Sequence, residues 1–92
     1  MPSADDFTNE LFRMMHEAER AGQDSLEVEA GELHRRVGGY PGRDHRMPLC
    51  CEAMRAQVHK GYGDTLVSAP PSGYGASLRI RYRLPRGEFV GL

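Results

Sequence analysis

Three arginines alternate with apolar side chains in GASLRIRYRL, residues 75–84 of this 92-residue chain. Successive side chains of an extended strand point to opposite faces, so Arg79, Arg81 and Arg83 should share one face. A guanidinium can donate two hydrogen bonds to one phosphate or carboxylate group, and spread arginines are typical of surfaces that contact a phosphate backbone. The chemistry that this spacing predicts is the binding of a polyanion.

Further polar and basic residues extend this candidate surface into two predicted helices and the loop between them. Arg55 and Gln57, with Glu52, are candidate readers of base edges, because Arg pairs well with guanine and Gln with adenine. Arg86 follows the last strand. The residues that we predict to bind nucleic acid, DNA or RNA, are Arg35, Arg36, Arg43, Arg46, Arg55, Gln57, Lys60, Arg79, Arg81 and Arg83.

The charge distribution divides the chain into an acidic and a basic half. Residues 1–34 carry nine acids and two arginines, a net charge of −7, whereas residues 35–92 carry ten bases and four acids, a net charge of +6. This asymmetry favours an anionic partner for the basic half. The alternative is that the strand arginines contact Glu27 and Glu29 across a sheet. A protein-interaction module also stays open, in which the acidic first helix meets the arginine face of a second copy or a partner protein.

The segment RDHRMPLCC contains groups that could bind a metal or act in catalysis. His45, Cys50 and Cys51 are possible zinc ligands, with His34 as a possible fourth, but structural zinc sites usually place two to four residues between paired cysteines. Side chains of adjacent helical residues point about 100° apart, so we expect one cysteine in the core and the other near the surface. A nucleophilic Cys51 with His45 as its base lacks an orienting third group. We therefore expect no metal, cofactor or catalysis. The least favoured alternative is a small nuclease or hydrolase centred on His34, Asp44 and His45.

Two helices and a short strand are predicted in the first part of the chain. Ser3 can cap a first helix with an apolar stripe that begins at Phe7, and Gly22 can end it in a left-handed conformation. SLEVEA alternates as a strand, and GELHRRVGG is a second helix that ends at Gly38 and Gly39.

A third helix and a terminal hairpin follow a loop rich in proline and glycine. The third helix is PLCCEAMRAQVHK, with Pro48 in its first turn and Gly61 beyond its end. DTLVSA and ASLRIRYRL are the two strands of the hairpin, joined by PPSGYG. The apolar side of the last strand should face the helices, and its members are Leu78, Ile80, Tyr82 and Leu84.

The order helix, short strand, helix, loop, helix and two strands resembles a winged helix-turn-helix domain. The resemblance implies an α+β fold, with three helices, a small antiparallel sheet and a C-terminal β-hairpin wing, over residues 1–92 as one domain. It also implies DNA binding through the third helix and the wing. The loop from Gly38 to Met47 departs from this pattern, because it is longer than the three or four residues of a tight helix-turn-helix.

The segments GELHRRVGGYPG…HRMPLCCEAM and PPSGYGASLRIRYRLPR are also similar to a small bacterial family. Its related segments stand alone or beside HNH-type nuclease domains. The resemblance implies no established activity and assigns no site residue.

Composition predicts the cellular compartment. No apolar run approaches the roughly 20 residues that a membrane span needs, and no secretory leader opens the chain. Adjacent cysteines rarely bridge each other, so we expect a cytoplasmic protein with reduced thiols.

Overall fold

Three helices and a three-stranded antiparallel sheet make up the part of the chain that the structure describes. This structure is a computed structural model, and it describes residues 3–38 and 46–85, except the side chain of Lys60. The elements are α1 (Ala4–Arg20), β1 (Ser25–Glu29), α2 (Ala30–Val37), α3 (Met47–Ala56), a one-turn 3₁₀ helix (Lys60–Tyr62), β2 (Thr65–Ser68) and β3 (Arg79–Arg83). The predicted α+β class is confirmed.

The sheet has the order β1-β3-β2, with the last strand at its centre. Ile80 pairs with Val28 of β1 on one side and with Leu66 of β2 on the other. The register between β2 and β3 shifts at Leu66 and Ser68, which forms a bulge. The short strand β1 therefore pairs with the last strand of the terminal hairpin.

Both ends of α1 follow from local chemistry. The Ser3 hydroxyl accepts a hydrogen bond from the Asp6 N–H at 3.2 Å, and the Asp6 carboxylate accepts one from the Ser3 N–H at 2.8 Å. This reciprocal cap satisfies two N–H groups at the helix start. At the other end Gly22 has φ +83°, which lets the N–H of Gln23 reach the oxygen of Ala18 at 3.0 Å. The predicted start and stop are confirmed.

The alternating pattern of the last strand is also confirmed. Its apolar side chains pack against the helices and have at most 4% of their surface exposed; they are Leu78, Ile80, Tyr82 and Leu84. Phe7, Leu11 and Met15 of α1 and Met54 of α3 belong to the same buried core cluster. Burial of this apolar surface is the main stabilising term of so small a domain.

Two predicted boundaries are wrong for reasons that involve distant contacts. The third helix ends at Ala56 rather than near Gly61, because the Asp64 carboxylate accepts a hydrogen bond from the His59 N–H at 2.8 Å and holds a turn there. Strand β3 begins at Arg79 rather than at Ala76. The oxygens of Ala76 and Leu78 accept hydrogen bonds from the first turn of α2 instead of joining the ladder.

None of the described helices is long and apolar enough to cross a membrane.

Candidate nucleic-acid interface

Helix α3 is joined to the hairpin loop, residues 69–78, by Arg55. The Nε and Nη2 atoms of Arg55 donate to the main-chain oxygen of Gly73 at 3.3 and 2.7 Å. The Arg55 Cζ atom also lies over the ring of Tyr74, 5.3 Å from its centroid. Arg55 therefore has a structural role, since it holds the loop against α3 through a charge-assisted hydrogen bond and a cation–π contact.

A second contact between α3 and the loop involves Cys51. Its Sγ atom accepts from the Gly75 N–H at 3.2 Å and lies 3.5 Å from the Gly75 oxygen, to which the thiol can donate. Cys51 and Cys50 are both completely buried, so the expectation that one of them lies near the surface is wrong. The helical periodicity of α3 does not show that the loop covers Cys51.

The burial of both thiols determines their chemistry. Burial, with a smaller contribution from Cys51, raises the pKa of Cys50 to about 12. Burial also raises the pKa of Cys51, although the Gly75 N–H and Arg55 oppose the shift. A thiol with a raised pKa holds little of the nucleophilic thiolate near neutral pH.

The hairpin loop is held by its own hydrogen bonds as well. The Ser72 hydroxyl donates to the Tyr74 oxygen at 2.6 Å, and the Gly73 N–H donates to the Pro70 oxygen at 2.8 Å. Gly73 has φ +81°, a conformation that a side chain would strain. The loop has no charged residue, and Tyr74 is 45% exposed at its tip.

The arginine face of the sheet is paired with acids of β1. Arg79 contacts Glu27 at 3.2 Å and Glu29 at 3.1 Å, and Arg81 contacts Glu27 at 3.2 Å. In the antiparallel register Glu27 lies directly opposite Arg81, and Glu29 lies directly opposite Arg79. Side chains at directly opposite positions are close enough to interact across the two strands. The alternative interpretation of these arginines, contact with Glu27 and Glu29, is therefore observed.

The other arginines of the predicted interface are spread over several elements. Arg35 and Arg36 are exposed on α2, and Arg36 lies 3.7 Å from the Glu10 carboxylate of α1. Arg83 is exposed on β3, and its N–H donates to the Asp64 carboxylate at 2.9 Å.

The remaining candidates lie on or near α3, or outside the described part of the chain. Gln57 is half-buried at the C-cap of α3, and Glu52 is exposed on the same helix. Arg43, Arg86 and the side chain of Lys60 lie outside the described residues.

His34 has a structural position. The side chain is completely buried, and its Nε2 atom accepts a hydrogen bond from the Arg46 N–H at 2.8 Å. Its ring packs edge-on against the ring of Phe7, with 4.8 Å between the ring centroids. Arg46 is the N-cap residue of α3, so His34 helps to fix where that helix begins. Asp44 and His45 lie outside the described residues. Within residues 3–38 and 46–85, no group of three His, Cys, Asp or Glu side chains could hold a metal ion.

Sequence reasoning missed the contacts that join α3 to the loop. Cys51 and Arg55 are four residues apart, which places them on one face of a helix. That spacing is the available sequence signal, but it does not say that Gly73 and Gly75 are their partners.

Comparison of this chain with protein-family models, curated proteins and solved structures gave no match. The resemblances to winged helices and to a bacterial family therefore stay predictions.

Proposed function

We propose that this chain binds nucleic acid through the surface that α3 and the hairpin loop form together. We call this the α3–loop surface; it comprises Glu52, Arg55, Gln57 and residues 72–74. The hydrogen bond from Arg55 to Gly73 carries the proposal, because it joins the two elements into one surface. The strand order β1-β3-β2 is compatible with a winged helix, in which a third helix and a hairpin wing act together.

The observed ion pairs change how much each arginine should contribute. Arg79 and Arg81 already face the carboxylates of Glu27 and Glu29, so less of their charge is left for phosphates. The other predicted cations can contribute phosphate contacts as well: Arg35, Arg36, Arg43, Arg46, Lys60 and Arg83. With about three phosphates neutralised, log K should fall with log salt at a slope of about −3 on a duplex and about −2 on a single strand.

A salt titration tests the proposal. Binding of a fluorescently labelled oligonucleotide is measured by anisotropy at several salt concentrations from about 50 mM upward. Arg55→Gln should weaken binding, because it releases the loop from α3. Arg79→Gln is the matched control on the sheet and should change the affinity and the slope little. Melting curves of both variants show whether they remain folded. Absence of binding to duplex and single strand at the lowest salt would overturn the proposal.

The second candidate function is protein interaction, and exposed apolar side chains on the edge strand β2 favour it. Leu66 is 49% exposed and Val67 is 39% exposed. The bulge and the four-residue length of β2 limit main-chain pairing, so a partner would use mainly these side chains. Sedimentation equilibrium tests self-association: a mass that rises with concentration in the wild type but not in Leu66→Ser would favour it.

We also propose a cytoplasmic location. Both cysteines are free thiols, and a reducing compartment keeps thiols in that state.

A further inference from the structure

Tyr74 is presented on the α3–loop surface in a defined way. The Arg55 guanidinium lies over its ring, and 45% of the residue is nevertheless exposed. An exposed aromatic ring offers a flat apolar area on which a nucleobase can stack, whatever the base.

The main chain on both sides of Tyr74 is fixed before any ligand arrives. Arg55 holds the oxygen of Gly73 at 2.7 Å, and Cys51 receives the N–H of Gly75 at 3.2 Å. The Ser72 hydroxyl bonds to the oxygen of Tyr74 itself. A side chain on such a fixed loop loses little conformational freedom on binding, which favours affinity.

Helix α3 is poorly equipped to read the major groove of a duplex. Its sequence MPLCCEAMRA contains one basic residue, Arg55, and this residue is bonded to Gly73. The exposed Glu52 would lie near phosphates if α3 entered a groove. Groove reading needs free donors on the helix, and duplex binding needs many neutralised phosphates. Stacking of an unpaired base needs fewer hydrogen-bond donors on the helix and fewer neutralised phosphates.

We infer that the nucleic acid bound by the α3–loop surface is single-stranded and that one of its bases stacks on Tyr74. Arg55 is a positioning residue, which holds the ring and the loop. The inference rests on the proposed function and specifies the class of its ligand.

The test compares three probes of about 12 nucleotides in low salt: a mixed-sequence single strand, the same sequence as a duplex, and the single strand with abasic sites. The wild type should bind the intact single strand most tightly. Tyr74→Ala should weaken that binding about 5- to 150-fold, the range for loss of one base–aromatic stack, whereas Tyr74→Phe should retain it. Tyr62→Ala is the matched control, since Tyr62 is 50% exposed but packs against His59.

A fluorescent base analogue separates stacking from charge. With 2-aminopurine in the strand, the wild type should quench its fluorescence, and Tyr74→Ala should not. Arg55→Lys keeps the positive charge but loses the planar fork, so it should reduce the quenching while the salt slope stays as in the wild type.

Each other outcome overturns the inference in a distinguishable way. If the duplex binds as tightly as the single strand, or if Tyr74→Ala binds like the wild type, the stacking inference is wrong while the proposed function stands. If no probe binds to the wild type, the proposed function fails and this inference fails with it.

Discussion

The hydroxyl of Tyr82 donates a hydrogen bond to the main-chain oxygen of Met54 at 2.7 Å, and both residues are completely buried. This bond connects the central strand β3 to the last turn of α3. The same turn contains Arg55, which holds the hairpin loop. The core and the α3–loop surface are therefore coupled through two consecutive residues of α3.

Tyr82→Phe should lower the free energy of unfolding by about 0.5–1.5 kcal/mol, the net contribution of one buried hydrogen bond. The cost stays moderate because the Met54 oxygen also accepts from the Gln57 N–H at 3.2 Å. Urea unfolding measures it. Tyr74→Phe, at an exposed tyrosine, is the control and should change stability by less than about 0.5 kcal/mol. Equal effects of the two changes would mean that the hydrogen bond from the Tyr82 hydroxyl to Met54 does not stabilise the fold.

Ile80→Ala should cost about 2–5 kcal/mol, because it removes a fully buried side chain from the centre of the sheet. Leu66 pairs with Ile80 in the register but is 49% exposed, so Leu66→Ala should cost much less. The two urea midpoints give the comparison directly. A loss below about 0.5 kcal/mol for Ile80→Ala would show that the faces of β3 are assigned backwards.

The alternation in RIRYR predicted the faces of β3 correctly because a period of two is a local property of the strand. The start and stop of α1 were also predictable, since Ser3 and Gly22 act within a few residues of themselves. The partners of the arginines were only partly predictable. Glu27 and Glu29 could be named as alternative partners, but only the register shows that they lie opposite Arg81 and Arg79.

The α3–loop contacts were not predictable, because they join residues about 20 positions apart. The Cys51 thiol contacts the main chain of Gly75, and Arg55 donates to the main-chain oxygen of Gly73; both glycines belong to the distant hairpin loop. The early end of α3 has a similar cause, since Asp64 acts on His59 from beyond the helix. Periodicity describes one element at a time and does not report such contacts.

Gly31→Ala should destabilise the fold by about 1–3 kcal/mol through overpacking. A Cβ atom at Gly31 would lie 3.2 Å from the Cβ atom and 3.3 Å from the oxygen of Ala76, in the hairpin loop. The Gly31 N–H also donates to that oxygen at 2.9 Å, so the two chains cannot separate without weakening this bond. Gly61→Ala, where nothing lies within 4 Å, is the control and should be neutral or slightly stabilising in thermal melts. Destabilisation by Gly61→Ala alone would contradict the packing.

The buried Cys50 should make stability fall in alkaline solution. Burial raises its pKa from the ordinary 9.0 to about 12, so the folded state keeps a proton that the unfolded state loses. The stability is fully present below about pH 9 and is lost as the pH rises toward about 12. Between about pH 8 and about pH 10.5 the wild type should lose about 2 kcal/mol more than Cys50→Ala in urea unfolding. Parallel losses in the two proteins would contradict the burial of this thiol.

The location of the binding surface is tested most directly by two-dimensional ¹H–¹⁵N NMR of the labelled chain during titration with a single-stranded oligonucleotide. We expect the largest shifts at the amides of Arg55, Gln57 and residues 72–75, and smaller shifts near the cations that contact phosphates. The amides of Glu27, Glu29 and Arg81 on the sheet face should move little. Shifts confined to the sheet face would contradict a binding surface at α3 and the hairpin loop. The absence of any shift with excess oligonucleotide in low salt would contradict it as well.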